Sequence, residues 1–401
     1  GAADDDPSGI STYSIAGASL GYGLLWTPLF SFPLMTAVQL MCARLGLVCG
    51  QGLAAVLRRR YPRPVLWTAA LLLLVANTVN IGADLGGMGA VMQLMTGIRA
   101  AVWTPLFAVL IVSLLIWCSY RYLARVFKWL TLALFSYVIA AFFAHPKWGD
   151  VLRATFIPRL ASDQNYLATF VGIMGTTISP YLFFWQAAEE VEEERAHGQR
   201  TLRSRRGATR QELSSARNDV LAGMLLSNVV MYFIILTAGA TLHQAGITHL
   251  ETAGEAARAL RPLAGDTAYL LFTLGLIGTG MLGVPVLAGS AAYAVAEAMH
   301  WRGSLDDRPS VAPQFYAVLV VSVFLGLGLD FLKINAVQAL FWAAIVNGVL
   351  APPLVVLVTL VTSDPRVMGE HVNPLPLRVL GWFTALVMGA AAVGLVVTAR
   401  G

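Results

Sequence analysis

The feature that most constrains this chain is a series of ten apolar stretches, each close to the length that crosses a bilayer. A spanning helix needs about 20 mostly apolar residues to cross the hydrocarbon core. Only 12% of the residues are charged, about half the share usual in a soluble domain. We therefore predict an all-α, polytopic membrane protein. The stretches cover roughly 24–49, 65–97, 101–118, 127–144, 166–188, 220–242, 267–299, 311–329, 334–362 and 376–399.

A shorter apolar run, 10–23, precedes these stretches and is too short to span a membrane alone. We interpret it as the second half of a first span whose first half is absent, which makes eleven segments. If segment 1 runs outward, the inside loops carry 18 of the 27 lysines and arginines, and the outside loops with the far C-terminus carry 8. Because such residues concentrate in cytoplasmic loops, we predict a multi-pass cell-membrane protein with a cytoplasmic N-terminus. The most basic loop, 192–217, is predicted to be a solvated cytoplasmic segment.

Proline and small polar residues interrupt this pattern at two places, DDDPSG at 4–9 and TTISPY at 176–181. Proline lacks a backbone N–H and disfavours helix at the residue before it. Each interruption has an ordinary alternative: a solvated acidic tail at the first, and a proline kink satisfied by hydroxyl groups at the second. Matching interruptions in two halves of a chain nevertheless favour a transport site between discontinuous helices.

The two interruptions each open a new half, segments 1–5 and segments 6–10. Since five spans is an odd number, the second half enters the membrane from the opposite side. We therefore predict a single transport domain over 1–401, built as an inverted 5+5 repeat with an eleventh helix. Repeat one covers about 1–145, repeat two about 166–362, and the extra helix about 376–399.

Polar residues inside apolar segments are costly and mark functional positions. Asp84 in segment 3 could line the pathway or relay a proton, or it could be a structural acid satisfied by backbone or by Asn80. Asn347 in segment 10 could line a cavity or make a helix–helix hydrogen bond. Five glutamates within 189–194 end segment 6. We interpret these as a solvated helix end rather than as a mouth that attracts cations.

The motif inventory argues against an enzyme and against nucleic acid binding. The basic residues lie in short loops between apolar runs, and there is no P-loop, GxSxG, HExxH or paired-cysteine motif. The six histidines all lie at loop or segment edges and none is near either interruption. We expect no bound cofactor, and the expected partners are a divalent metal ion and the lipid bilayer. The oligomeric state is not predictable.

Four motifs together resemble the natural-resistance-associated macrophage protein family of divalent metal transporters. DPSG at 6–9 stands where that family has DPGN, and ADLGGMGA at 83–90 matches its acidic motif in segment 3. The stretches LMCARLGLVCGQGLAAVLRRRYPRP at 40–64 and DVLAGMLLSNVVMYFII at 219–235 are similar to its segments 2 and 7. The resemblance covers nearly the whole chain and implies a leucine-transporter-like fold with alternating access.

The resemblance also implies a metal site, and this chain departs from it. Asp6 keeps the family's aspartate, but Gly9 stands where the family has asparagine, Ser179 where it has methionine and Tyr181 where it has histidine. Thr176 holds the position of the family's carbonyl ligand. A thioether favours soft metals, whereas Mg²⁺ is hard and keeps several waters. The chain is therefore most similar to the branch called NRAMP-related magnesium transporters.

These observations predict a transporter of Mg²⁺, and also of Mn²⁺, that is not coupled to protons. Asp6 supplies the charge, Gly9 and Thr176 supply carbonyls, and Ser179 supplies a hydroxyl. The outer or pathway candidates are Asp5, Tyr181, Asp84 and Asn347. One alternative is a proton-coupled Mn²⁺ or Fe²⁺ symporter of the same family. The other is a transport-inactive homologue that senses ions or acts as a scaffold.

Overall fold

The computed structural model describes residues 6–118, 129, 132–199, 201–330 and 335–399. Within these residues the chain forms helices joined by turns, with no β-strand. The longer helices are α1 (Pro7–Leu20), α2 (Thr27–Cys49), α3 (Arg63–Thr96), α4 (Ala100–Trp117), α5 (Ser136–Phe143), α6 (Gln164–Thr177), α7 (Pro180–Ala196), α8 (Arg210–Ala238), α9 (Ala268–Met299), α10 (Pro313–Asp330), α11 (Ala336–Thr362) and α12 (Leu375–Thr398).

Short helical pieces connect these elements at the two ends of the bundle. The α-helical ones are Leu53–Arg60, Trp148–Phe156, Leu202–Arg205, Ala253–Ala257, Arg261–Ala264 and Pro365–Met368. Single 3₁₀ turns cover Leu132–Phe135, Arg258–Leu260, Gly265–Thr267 and Gly369–His371. A π-helical turn, Gly239–His243, ends α8.

The predicted membrane spans are confirmed as helices. Eight helical stretches in the described residues are long and apolar enough to cross a membrane, with α6 and α7 counted together as one stretch. Shorter apolar helices occupy the remaining two predicted spans, at α5 and at α10. Large apolar side chains such as Leu71, Leu106 and Leu386 are exposed on the outer faces of these helices, as expected of surfaces that meet lipid. The protein is therefore a multi-pass membrane protein.

Local sequence signals set where the helices begin. α8 starts with a capping box, in which the Thr209 side chain accepts from the Glu212 N–H and the Glu212 carboxylate accepts from the Thr209 N–H. α6 is capped by Asp163, whose carboxylate accepts from the Tyr166 N–H at 2.9 Å. These caps satisfy backbone donors that have no partner inside the helix.

The short helix α1 is held in the middle of the bundle. It packs against α6, α8, α9 and α11, and Ile10, Tyr13 and Ala16 are buried. The approach to α8 is close, because a Cβ on Gly17 would lie only 2.4 Å from the backbone oxygen of Ile235. The N-terminal end of α1 is thereby placed against the centre of the neighbouring long helices.

The interpretation of the glutamate run as a solvated helix end is wrong. α7 continues to Ala196, and Glu190, Glu192 and Glu194 on it are buried. Glu192 accepts from the hydroxyl of Ser304, a residue far along the chain. The pattern of charges could not reveal this, because neighbours distant in sequence cover the helix end.

The predicted loop 192–217 is correspondingly shorter than expected. Its first residues belong to α7, and its last residues form the start of α8 at Arg210. Arg205 within it is buried, and its guanidinium donates to the backbone oxygens of Gly50 and Gln199. This segment is therefore packed against the helix ends in part, and is not wholly solvated.

Candidate metal site

The first interruption is a helix start whose cap carries a negative charge. Asp6 has an extended backbone (φ −76°, ψ 170°) and Pro7 takes the first helical position of α1. The Asp6 carboxylate accepts from the Gly9 N–H at 3.0 Å, from the Ser8 hydroxyl, and from the side-chain amide of Asn80 on α3 at 2.7 Å. Asp6 is only 1% exposed.

These three donors leave the Asp6 carboxylate with capacity for a cation. An ionised carboxylate has about four lone-pair sites, and the three bonds use neutral donors. Hydrogen bonds reduce the cost of burying a charge but do not neutralise it. A cation in contact with Asp6 would remove the remaining cost.

The second interruption is a true break between two helices. α6 ends at Thr177 and α7 begins at Pro180, with an extended Ser179 (φ −79°, ψ 136°) as its cap. The Ser179 hydroxyl donates backwards, to the backbone oxygens of Gly175 at 2.7 Å and Thr176 at 3.0 Å. The last carbonyls of a helix lack intrahelical donors and carry partial negative charge, so the end of α6 favours a cation.

The two interruptions meet at Gly9 and Thr176. A Cβ on Gly9 would lie 3.0 Å from Thr176 Oγ1, so the first turn of α1 touches the last turn of α6. Thr176 and Ser179 are fully buried. Thr176 Oγ1 has no hydrogen-bond partner among the residues described. The structure thus brings the predicted Asp6, Gly9, Thr176 and Ser179 into one region.

Gly9 contributes differently from the prediction. It lies in the first turn of α1, where a backbone carbonyl points along the helix toward the residue four positions on. Its contribution is instead an N–H group for Asp6 and the absence of a side chain, which lets the first turn of α1 approach Thr176 closely. The structure therefore does not support the expectation that Gly9 offers a carbonyl to the ion.

Asp84 is a second buried carboxylate close to Asp6. A Cβ on Gly283 of α9 would lie 3.1 Å from the Asp6 Cβ and 3.8 Å from Asp84 Oδ2, so both acids flank one glycine. Neither Asp84 oxygen makes a well-formed hydrogen bond within the described ranges, and the backbone N–H of Ser8 is a nearby donor. Asn80 donates its amide to Asp6, which argues against the alternative that Asn80 satisfies Asp84. Two buried like charges oppose each other's ionisation, and a divalent cation between them would relieve both.

The remaining outer candidates lie around the end of α6. Tyr181, in the first turn of α7, is fully buried, as is Asn347 on α11. Neither polar atom of the Asn347 amide finds a partner in the part of the chain described. The next residue, Gly348, packs on α6, where a Cβ on Gly175 would lie 2.2 Å from its nitrogen. Asp5 lies outside the described residues.

Sequence reasoning missed two neighbours of the site on α3, namely Asn80 as a partner of Asp6, and Met88. Met88 is fully buried, and its sulfur packs directly against Gly280 on α9, beside Pro7. The available signal was spacing, because Asn80, Asp84 and Met88 recur every four residues on one helix and share a face. Ser8, adjacent to the family motif, was also overlooked as a donor to Asp6.

Comparison with known proteins agrees with the expected fold. The manganese transporter of Eremococcus coleocola, solved with an aromatic bis-isothiourea compound, has a TM-score of 0.79 at 18% identity, covering 98% of this chain and 83% of that one. Mhp1 in an inward-facing conformation has a TM-score of 0.54 at 13% identity, covering 98% and 88%. Mhp1 with bromovinylhydantoin bound, described as a nucleobase-cation-symport-1 family transporter, gives 0.51 at 14% identity, covering 98% and 93%.

These similarities confirm the all-α, leucine-transporter-like fold class. The sequence itself matches the natural resistance-associated macrophage protein-like family over residues 1–398. That match includes both helix breaks, the acidic face of α3 and the C-terminal α12. The chain therefore belongs to the natural resistance-associated macrophage protein-like family.

Proposed function

We propose that this protein carries a divalent cation across the membrane by alternating access, with Mg²⁺ preferred, Mn²⁺ accepted and no coupling to protons. The observation that carries the proposal is the pair of buried carboxylates, Asp6 and Asp84, on either side of Gly283. Two negative charges in a region of low dielectric match one divalent ion. A monovalent ion would leave half of that charge uncompensated.

The donor set supports a hard cation. Positions 6–9 and 176–181 contain no methionine, cysteine or histidine, and hard ions prefer oxygen ligands. Among the described residues, the acceptors near the site that lack a hydrogen-bond partner include Thr176 Oγ1, both Asp84 oxygens and the carbonyl oxygens of Asn80 and Asn347. Water molecules that stay on Mg²⁺ could donate to these atoms. The site therefore suits an ion that enters with part of its hydration shell.

The absence of proton coupling is proposed from Tyr181. It stands where the family has histidine, the side chain whose unperturbed pKa lies nearest physiological pH. Asp84 remains an acid that could carry a proton, so the test must measure proton movement directly.

Alternating access is proposed because the ion site is closed in this structure. Asp6, Thr176, Ser179 and Tyr181 are all at most 1% exposed. An ion can therefore exchange with solvent only if helices move. The two helix breaks are the natural hinges, since α1 and α7 each start at a proline that leaves the preceding backbone extended.

Flux through proteoliposomes tests this function. Vesicles containing the purified protein are loaded with a Mg²⁺ indicator, a Mn²⁺-quenched dye or a pH dye, and the matching ion is added outside. We expect Mg²⁺ and Mn²⁺ entry without a proton signal above that of protein-free vesicles. Mn²⁺ entry accompanied by protons, with no Mg²⁺ entry, would establish the symporter alternative. Ion binding without any flux would establish the sensor alternative.

A second candidate, a Mn²⁺ or Fe²⁺ symporter, is favoured by the position of the Met88 thioether beside Pro7. Met88→Leu separates the two, because it removes the sulfur at nearly constant volume. If the sulfur serves as a ligand, Mn²⁺ binding weakens and Mg²⁺ binding does not. If Met88 is only packing, both affinities stay as in the unaltered protein.

A further inference from the structure

A second acidic region lies at the opposite end of α7 from Ser179. It is a cavity of about 500 Å³, here called the acidic cavity, between the last turns of α7 and the first turns of α8. Five of its lining residues are acidic, and no lysine or arginine is among the described residues that line it. The acidic residues are Glu190, Glu193, Glu194, Glu212 and Asp219.

One carboxylate that lines the acidic cavity is buried, and one of its oxygens has no direct partner. Glu194 is only 6% exposed, and its Oε2 is buried without a hydrogen-bond partner in the described part of the chain. Glu190 is 8% exposed, and its Oε1 accepts from a neutral donor, the Gln186 amide, at 2.9 Å. Arg205, which lines a neighbouring cavity, attracts Glu194. One arginine cannot balance five ionised acids, and a buried carboxylate stays ionised at low cost only if a cation lies close to it.

The geometry favours a hydrated ion over a bare one. No three acids or histidines in the described residues converge closely enough to hold a metal ion directly. Six waters occupy about 180 Å³ at about 30 Å³ each, which the acidic cavity can contain. Mg²⁺ is the divalent ion that gives up its waters most reluctantly.

We propose that the acidic cavity is a second divalent-cation site, which binds hydrated Mg²⁺ through water to Glu190, Glu194 and the carboxylates facing them on α8. The bound ion screens the repulsion between α7 and α8. Because α7 is capped by Ser179 in the helix break, occupancy of the cavity restrains the helix that borders the transport site. The loop charges predict that this end faces the cytoplasm, and we therefore expect the site to respond to the cytoplasmic ion concentration.

Calorimetric titration of Mg²⁺ into the purified full-length protein tests the proposal. The background carries Asp6→Asn, so that the transport site is disabled and the result does not depend on transport. With about 0.15 M monovalent salt present to screen nonspecific attraction, we expect one remaining Mg²⁺ site. Glu194→Gln added to this background should weaken that site at least about tenfold, as expected for the loss of about 1.4 kcal/mol.

Two further variants keep the result interpretable. Glu193→Gln with Asp219→Asn changes two exposed acids of the cavity, so it preserves the fold even if Glu194→Gln does not, and it should also weaken binding about tenfold. The control is Glu370→Gln, an exposed acid outside the cavity, which should leave binding unchanged. The proposal is overturned if Asp6→Asn alone removes all Mg²⁺ binding, or if the exposed double variant binds as its background does.

Discussion

The two helix breaks use the same backbone device but differ in the direction of their cap. Asp6 and Ser179 both have an extended backbone and both precede a proline that starts a helix. The Asp6 carboxylate accepts from Gly9, in the helix that follows it. The Ser179 hydroxyl donates to carbonyls of the helix that precedes it. The first break therefore supplies a full negative charge, and the second supplies the negative end of a helix.

The packing around the breaks differs as well. At the second break, α6 approaches α11 so closely that a Cβ on Gly175 would lie 2.1 Å from the Ala344 backbone oxygen. At the first, a Cβ on Gly9 would lie 3.0 Å from the Thr176 hydroxyl, a side-chain atom that can rotate away. We infer that the α6 side of the second break is fixed by backbone contact, so that movement at this hinge belongs to α7, whereas the first break can adjust around the ion.

The largest effect is expected from Asp6→Asn. Asparagine is as good a helix cap as aspartate, so the helix start is preserved while the charge is lost. A charge pair at about 4 Å is worth about 4 kcal/mol at an effective dielectric near 20, so Mg²⁺ flux into proteoliposomes should fall at least about 100-fold.

The matched control is Asp163→Asn, which alters the aspartate cap of α6 away from the break and should leave Mg²⁺ flux intact. Full flux through the Asp6 variant at saturating Mg²⁺ would place the main charge elsewhere.

Gly175→Ala should destabilise the fold by about 1–3 kcal/mol, the usual cost of overpacking, because the new methyl group meets backbone on α11. The measurement is the thermal midpoint in detergent. Gly328→Ala on α10 is the control, since open space surrounds that position. Gly9→Ala should cost less than Gly175→Ala, because a hydroxyl can move aside. Equal midpoints for Gly175→Ala and Gly328→Ala would refute the claim that the α6 side of the second break is fixed by backbone contact.

The double change Gly9→Asn with Ser179→Met should shift selectivity from Mg²⁺ toward Mn²⁺ or Cd²⁺. It adds one oxygen ligand, one soft sulfur ligand and bulk that excludes a hydrated ion. We expect Mn²⁺ or Cd²⁺ binding to tighten by about 1–2 kcal/mol, comparable to one charge-assisted contact, and Mg²⁺ flux to fall.

Each single change serves as a control for this double variant, and calorimetric titration of Mn²⁺ and Mg²⁺ supplies the measurement. A folded double mutant that binds both ions as the unaltered protein does would mean that neither side chain faces the ion.

The smallest effect is expected from Ser179→Ala. It removes the backward hydrogen bonds to Gly175 and Thr176 and should cost about 1 kcal/mol of stability, with a modest loss of flux. Ser179→Thr keeps the hydroxyl and should retain most of both. If the alanine variant matches the unaltered protein in thermal midpoint and flux, the hydrogen bonds from the Ser179 hydroxyl to Gly175 and Thr176 do not stabilise the second break.

Much of the architecture and part of the site were predictable from sequence. The apolar stretches are helices because a spanning segment must satisfy its own backbone hydrogen bonds. The break before Pro180 followed from the missing proline N–H, and Asp6 stood out as the acid that precedes Pro7. Proton coupling, ion preference and the exact boundaries of the two repeats remain predictions.

Other features were not predictable, for reasons visible in particular residues. The sequence suggested that Glu194 is solvated, because its neighbours in sequence are charged. In the folded chain it is buried by residues that are distant in sequence. From the sequence, Asn80 could form a hydrogen bond with either Asp84 or Asp6. Only the packing of α1 against α3 shows that its amide donates to Asp6. The part played by Gly9 depended on Thr176, which lies on another helix.

The amino-acid sequence alone therefore determined the membrane class, the helices and the two points at which they break, because these depend on local hydrophobicity and on the chemistry of proline. The tertiary structure alone decided which polar groups meet, which carboxylates lose their water and which glycines allow helices to touch. Those outcomes depend on contacts between residues far apart in the chain, and the cost of burying a charge is set by everything packed around it.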